Sequence, residues 1–254
     1  MTENTKIPSF DLTRNYARVK EEVNVAVLRV LDTQHFILGP EVEALEKEIA
    51  AYLEVKNAVG CASGTDALVL ALMALDLKPG DEVITTPFTF FATVSCITRN
   101  GATPVFADVD PVTYNIKSED ILAKITPRTR AVLPVHLFGQ MCPLEEIKDE
   151  LKSRGIALIE DCAQAIGAHR MIDGRVARSG SVGDMGCFSF FPTKNLGCYG
   201  DGGMVSIADN PEFAQRVKNL RVHGAGKTYF HEEVGINSRL DALQAAILRV
   251  RLRH

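Results

Sequence analysis

Residues 58–77 read AVGCASGTDALVLALMALDL. A short apolar run comes first, then Ser63-Gly64-Thr65, then a strongly apolar stretch that KPGD closes. Turn chemistry between a β-type run and a helical run specifies a strand, a loop and a helix in that order. The first N–H groups of such a helix have no partner within it, and glycine lets a ligand come close, so the turn can take an anion. Ser-Gly-Thr before a helix is more often just a cap.

The same alternation continues outward without repeating its letters. DEVITTP (81–87) reads as a buried strand, TFFATVSCITRNG (89–101) as a helix stopped by glycine, and TPVFADVD (103–110) as a strand. SEDILAKI (118–125) is expected to be a helix capped by Ser118, and RAVLPVHLFG (130–139) a strand. PLEEIKDELKSRG (143–155) carries proline at its start and glycine after its end, the pattern of one continuous helix. IALIEDCAQA (156–165) is a strand running into Glu160 and Asp161. Strands and helices alternating at this spacing specify an α/β domain with a mainly parallel sheet covered on both faces by helices. In such sheets ligands gather at the carboxyl ends of the strands.

Flanking segments are helical. Tyr16, Val19, Val23, Val27 and Val30 recur at helical spacing before a break at HFILGP, and a second helix is expected from Glu41 to about Leu53. Beyond Gly174 the alternation weakens: GCFSFF and GGMVSI are strand candidates around Lys194, PEFAQRVKNLRVHG is helical, and a polar loop follows. Residues 237–254 form a last helix with Leu240, Leu243, Ile247 and Val250 on its apolar face. That face is expected to lack a cover from the chain itself.

Composition narrows the class. The 254 residues are 46% hydrophobic and 24% charged with a net charge of −4, which suits a globular domain and gives a polyanion no general attraction. The basic RVRLRH at 249–254 reads as the charged side of a helix, so no nucleic-acid partner is expected. Six cysteines are scattered without Cys-x-x-Cys pairs or zinc-ligand spacing, so buried free thiols and no metal are expected. With no signal-type N-terminus and no run approaching about 18 apolar residues, a cytoplasmic protein without a membrane span is expected. Walker and Gly-x-Gly-x-x-Gly patterns are absent, which removes most support for nucleotide hydrolysis or dinucleotide binding.

Four features fall at strand ends: Ser63-Gly64-Thr65, the pair Glu160-Asp161, the aromatic group Phe88, Phe90 and Phe91, and Lys194. By default the acid is a solvated strand end and the phenylalanines are core. A lysine beside desolvating aromatic rings is shifted toward the neutral amine, which can form a Schiff base with an aldehyde. The glycines after Lys194 are expected to let the chain turn tightly past a ligand. A phosphate cup, an aromatic face, an acid and a lysine are the four parts that pyridoxal 5'-phosphate requires.

ILGPEVEALEKEIAAYLEVKNAVGCASGTDALVLAL (37–72), GDEVITTPFTFFAT (80–93), IEDCAQAIGA (159–168), FSFFPTKNLGCYGDGGMV (188–205) and INSRLDALQAA (236–246) resemble the DegT/DnrJ/StrS-type sugar-nucleotide aminotransferases. These have the large-domain fold of type I pyridoxal phosphate enzymes, so the resemblance implies a mainly parallel seven-stranded-type sheet sandwiched by helices. The resemblance, running from about Phe10 to the last residue, implies that Lys194 bonds the cofactor aldehyde and carries protons. It implies that Asp161 meets the ring nitrogen, that Gln164 lies one helical turn further on near the phenolic oxygen, and that Phe90 stacks. Gly64, Thr65 and Ser189 would hold the phosphate, and Asn237 would reach the phosphate in a neighbouring subunit, making a homodimer with shared active sites. The implied reaction moves an amino group from an amino acid, glutamate in this family, to a keto group of a nucleotide-linked sugar, in amino-sugar or surface-polysaccharide synthesis such as lipopolysaccharide. SFFPTKNLGCYGDGG is most similar to members acting at C3 of UDP-linked N-acetylated hexuronic acids. Residues 1–35 are expected to be an N-terminal helical segment, 36–236 the cofactor-binding domain, and 237–254 the start of a helix leading to a small C-terminal domain that this chain lacks. A non-catalytic cofactor-binding sensor or scaffold, an inactive fragment, and a nucleotide binder without a Schiff base are the competing readings.

Overall fold

The computed structural model describes residues 8–227 and 229–254. Helices α1 (Thr13–Thr33) and α2 (Pro40–Leu53) precede β1 (Asn57–Cys61), α3 (Gly64–Ala74), β2 (Glu82–Thr85), α4 (Phe91–Arg99) and β3 (Thr103–Phe106). Then come α5 (Ser118–Ala123), β4 (Thr129–Val132), α6 (Lys148–Ser153), β5 (Ala157–Asp161), and a hairpin of β6 (His169–Ile172) and β7 (Arg175–Arg178). The chain continues through β8 (Met185–Ser189), β9 (Gly203–Ile207), α7 (Pro211–Leu220), a small hairpin of β10 (Ala225–Lys227) and β11 (Phe230–His231), and α8 (Ala242–Leu252).

Seven strands form one sheet in the order β1-β9-β8-β5-β4-β2-β3. Pairs among β3, β2, β4, β5 and β8 are parallel, and β9 runs antiparallel to both β8 and β1. Six strands therefore present their carboxyl ends to one margin, where β9 begins.

Both faces are covered, and the period of two decides which side chain goes where. Val59, Val83, Ala131, Ile159, Cys187 and Val205 pack with α3, α4 and α7. Ile84, Val132 and Leu158 face Leu144, Ile147 and Leu151, while Ala58, Phe188 and Met204 face α2 and α8. All six cysteines are free and buried.

Several expectations need correction. The last helix is not left bare: Ala242, Ala246, Ile247 and Val250 pack against Val19, Val23, Ala26 and Val30 of α1, and Ala245 and Leu248 against α2. Arg249 pairs with Glu41 and Glu48, and Arg253, just past the helix, with Glu22. Residues 143–155 are not one helix, because Ile147 leaves helical dihedrals (φ −126°, ψ −19°) between a 3₁₀ turn at Leu144–Glu146 and α6, and is buried there. Ser118 does not cap α5; Lys117 holds the cap position without a side-chain bond. The strand expected over 130–139 is regular only to Val132; the chain stays beside β5 through Val135, which bridges Asp161, and turns away in a 3₁₀ turn at Leu137–Gly139.

At the outer margin β1 has no strand beside it among the described residues. An ion pair takes that place: the Gly60 N–H donates to Glu46 Oε1 at 2.9 Å, and Arg221 Nη1 donates to the Gly60 carbonyl at 2.7 Å.

Candidate active site

At the carboxyl margin of the sheet lies a cavity of about 390 Å³. Gly64, Thr65, Phe90, Asp161, Gln164, Ser189 and Lys194 all line it. Asn237 does not; it is exposed, and its backbone bridges Val222. Among the described residues no helix is long and apolar enough to cross a membrane.

Ser63 both caps α3 and borders the cavity, its Oγ accepting the Asp66 N–H at 3.0 Å. Cap and anion cup are thus not alternatives: the side chain serves one N–H, and Gly64 and Thr65 still begin a helix whose first N–H groups lack intrahelical partners. Gly64 is pressed against the end of β8, where a Cβ would lie 2.5 Å from the Ser189 Cβ. Gly203 is pressed against the turn from the other side, with 2.2 Å between an added Cβ and the Ser63 carbonyl oxygen. β8 and β9 together hold the turn and the Ser189 hydroxyl in one place.

Asp161 is not a solvated strand end. It is 4% exposed, its Oδ2 accepts the Thr93 hydroxyl at 2.8 Å, and its Oδ1 accepts the Ala163 N–H at 3.1 Å. Burial pushes its carboxyl above the usual range, opposed by the Thr93 hydroxyl, the Ala163 N–H and, more weakly, the Lys194 ammonium. Lys194 is half-buried in the turn after β8, its backbone N–H bonded to the Phe191 carbonyl at 2.9 Å. Its Nζ makes no hydrogen bond or ion pair among the described residues.

Glu160, paired in the sequence with Asp161, points the other way, as alternation along a strand requires. It is fully buried and accepts the N–H groups of Gly180, Val182 and Gly183, with His136 Nε2 at 2.7 Å. The Cys142 N–H donates to His136 Nδ1 at 3.0 Å, so the ring proton lies on Nε2 and faces Glu160. This carboxylate fixes loops and stays out of the cavity.

Phe88, Phe90 and Phe91 are not core residues: they are 47%, 75% and 78% exposed. Phe90, at the N-cap of α4, borders the cavity, whereas Phe88 lies against Tyr114 with ring centroids 5.6 Å apart. Gln164 sits in a turn rather than one helical turn further on, and its Oε1 accepts the Phe138 N–H at 2.9 Å, which leaves its amino group to face a ligand. Sequence reading missed Thr89, Thr93 and Phe191 in or against the site. Only the spacing of Thr89 and Thr93, one helical turn apart, signals that two hydroxyls share a side.

The geometry has clear relatives. The family model for DegT/DnrJ/EryC1/StrS aminotransferases matches residues 17–254. A UDP-N-acetyl-3-dehydro-alpha-D-glucosamine 3-aminotransferase of Acidithiobacillus ferrooxidans is 50% identical over 254 residues, covering 100% of this chain and 68% of its own. The crystal structure of S. venezuelae DesV superposes with a TM-score of 0.92 at 44% identity, over 98% of this chain and 66% of DesV. That of NtdA from Bacillus subtilis with bound cofactor PMP does so at 0.87 and 33%, over 99% and 57%. The chain spans about two thirds of the length of the curated relatives it matches. With a matching family model over nearly its whole length, the chain belongs to the DegT/DnrJ/EryC1/StrS aminotransferase family.

Proposed function

We propose that this chain carries the cofactor site of a pyridoxal phosphate-dependent aminotransferase that moves an amino group from glutamate to the keto group of a nucleotide-linked sugar. One observation carries the reading: a buried carboxylate, Asp161, and an uncommitted amine, Lys194, share a cavity with the start of α3. The residues fit the cofactor. Asp161 has accepting capacity beyond its two protein donors, which suits a protonated ring nitrogen, and the missing side chain of Gly64 lets the start of α3 and the Ser189 hydroxyl come together at the cavity wall.

When bound, pyridoxal phosphate supplies an aldehyde for amines and a ring that accepts an electron pair. Everything else falls to the chain. Gly64 and Thr65 N–H groups with the Ser189 hydroxyl would hold the phosphate, and Phe90 would cover the ring. The Gln164 amino group would donate to the phenolic oxygen. In each half of the reaction the Lys194 amine would act as base and then acid, moving one proton between the substrate carbon and the cofactor: off the donor's carbon in the first half and onto the sugar's carbon in the second.

Asn237, exposed and outside this cavity, would serve a partner subunit's phosphate in a homodimer. The A. ferrooxidans relative, a 3-aminotransferase of a UDP-linked N-acetylated sugar, supports amination at that position, and we place the reaction in cytoplasmic amino-sugar supply for surface polysaccharide or lipopolysaccharide. Residues 36–236 would form the cofactor-binding unit, with α1 as a helical arm before it and 237–254 leading toward a further domain; residues 1–7 of the expected segment 1–35 lie outside the described residues.

An absorbance titration tests the reading. Adding pyridoxal phosphate should produce a visible band that glutamate shifts, and Lys194→Ala should abolish the band. A band that survives the substitution would remove Lys194 from its role.

A further inference from the structure

We infer that Thr93 is a positioning residue of this site: it fixes one Asp161 oxygen as an acceptor, so that the carboxylate meets a protonated heteroaromatic nitrogen in the cavity. The inference rests on the cofactor reading above and adds a residue to it.

Thr93 lies on α4 and is 1% exposed. A helical threonine commonly turns its hydroxyl back to a carbonyl of the preceding turn. This one instead reaches Asp161 Oδ2 at 2.8 Å, and its other neighbour is Thr89 Oγ1, also at 2.8 Å. Each hydroxyl carries one hydrogen. An ionised carboxylate can only accept, so Thr93 donates to Asp161 and Thr89 donates to Thr93. Thr89 itself borders the cavity. The chain of donors thus runs from the cavity wall to Asp161, with the Ala163 N–H closing the other oxygen. A proton on Oδ2 would reverse the Thr93 bond and remove an acceptor that the ring N–H needs. Two donors aimed at a buried carboxylate favour its charged form against burial.

The test compares pyridoxal phosphate with 1-deazapyridoxal phosphate, in which carbon replaces the ring nitrogen. Dissociation constants are measured by absorbance for wild type, Thr93→Val, Thr93→Ser and Thr89→Val. Loss of a hydrogen bond to a charged group should weaken pyridoxal phosphate binding by about 10- to 100-fold in Thr93→Val. Affinity for the deaza analogue should hold, Thr93→Ser should restore the preference, and Thr89→Val should lower it less. Equal weakening of both ligands would mean that Thr93 only shapes the cavity, which overturns the inference and leaves the cofactor reading intact. Wild type binding neither ligand would remove both. Should Thr93→Val fail to fold, an unchanged preference in Thr89→Val overturns the inference alone.

Discussion

The glycines around Lys194 show how one residue type can be required for a reason other than the one first suggested. None of Gly197, Gly200, Gly202 and Gly203 has a positive φ, so left-handed turning is not their task. Space is: a Cβ on Gly197 would lie 2.4 Å from the Pro192 carbonyl oxygen. Gly64 obeys the same rule against the Ser189 backbone and side chain. Alanine there gains about 1 kcal/mol of helix propensity, but the contact is with a strand end that has little room to move. Gly64→Ala should therefore cost a net of about 1–3 kcal/mol by overpacking, measured by urea unfolding, and should weaken binding of pyridoxal phosphate in parallel. At this scale the acid, the lysine and the Ser63-Gly64-Thr65 turn were legible because each breaks an apolar run. The side that each strand-end acid faces was not: Glu160 and Asp161 are adjacent letters, and only the register of β5 sends one into a nest of amides and the other into the cavity.

Elements announce themselves when their periodicity is long and disappear when it is short. The strand-loop-helix units from 58 to 165 follow from runs of apolar residues bounded by turns. The β6–β7 hairpin has four-residue, half-exposed strands and escapes that logic, although Asp173-Gly174 at its tip, both with positive φ, is a strong hairpin signal. Helix α7 shows a clean start: Asn210 Oδ1 accepts the N–H groups of Glu212 and Phe213, and Pro211 follows at the first position. Asn210→Ala should lower stability by about 1 kcal/mol, and Asn210→Asp should be nearly neutral; chemical denaturation of the two variants separates cap loss from general damage. The break inside 143–155 was not legible, because capping and proline argued for one helix while Leu144, Ile147 and Leu151 each had a place in the core to fill.

Across the whole molecule, strand order is set by packing between distant segments, which is why β9 inserts between β1 and β8 with no local sign of doing so. Distant contacts also set the response to acid. Glu82, 6% exposed on β2, accepts from the Thr126 hydroxyl and from Arg128, and these bonds hold its carboxyl below the ordinary value of 4.5. A depressed folded-state pKa stabilises fully above the unfolded value and is lost as pH falls through the folded one. Asp161 has the opposite sign, since burial raises its pKa and protonation favours the folded state. The stabilisation from Glu82 should therefore be lost as pH drops below 4.5, while protonation of Asp161 offsets part of that loss. Glu82→Gln should melt lower at neutral pH and fall less steeply on acidification. The margin of β1 carries a different kind of consequence. A bare strand edge is a template on which another chain can crystallise its own ladder. With both Gly60 groups occupied by Glu46 and Arg221, that template is blank at its centre, and copies of this chain have no continuous seam there along which to grow into a fibre.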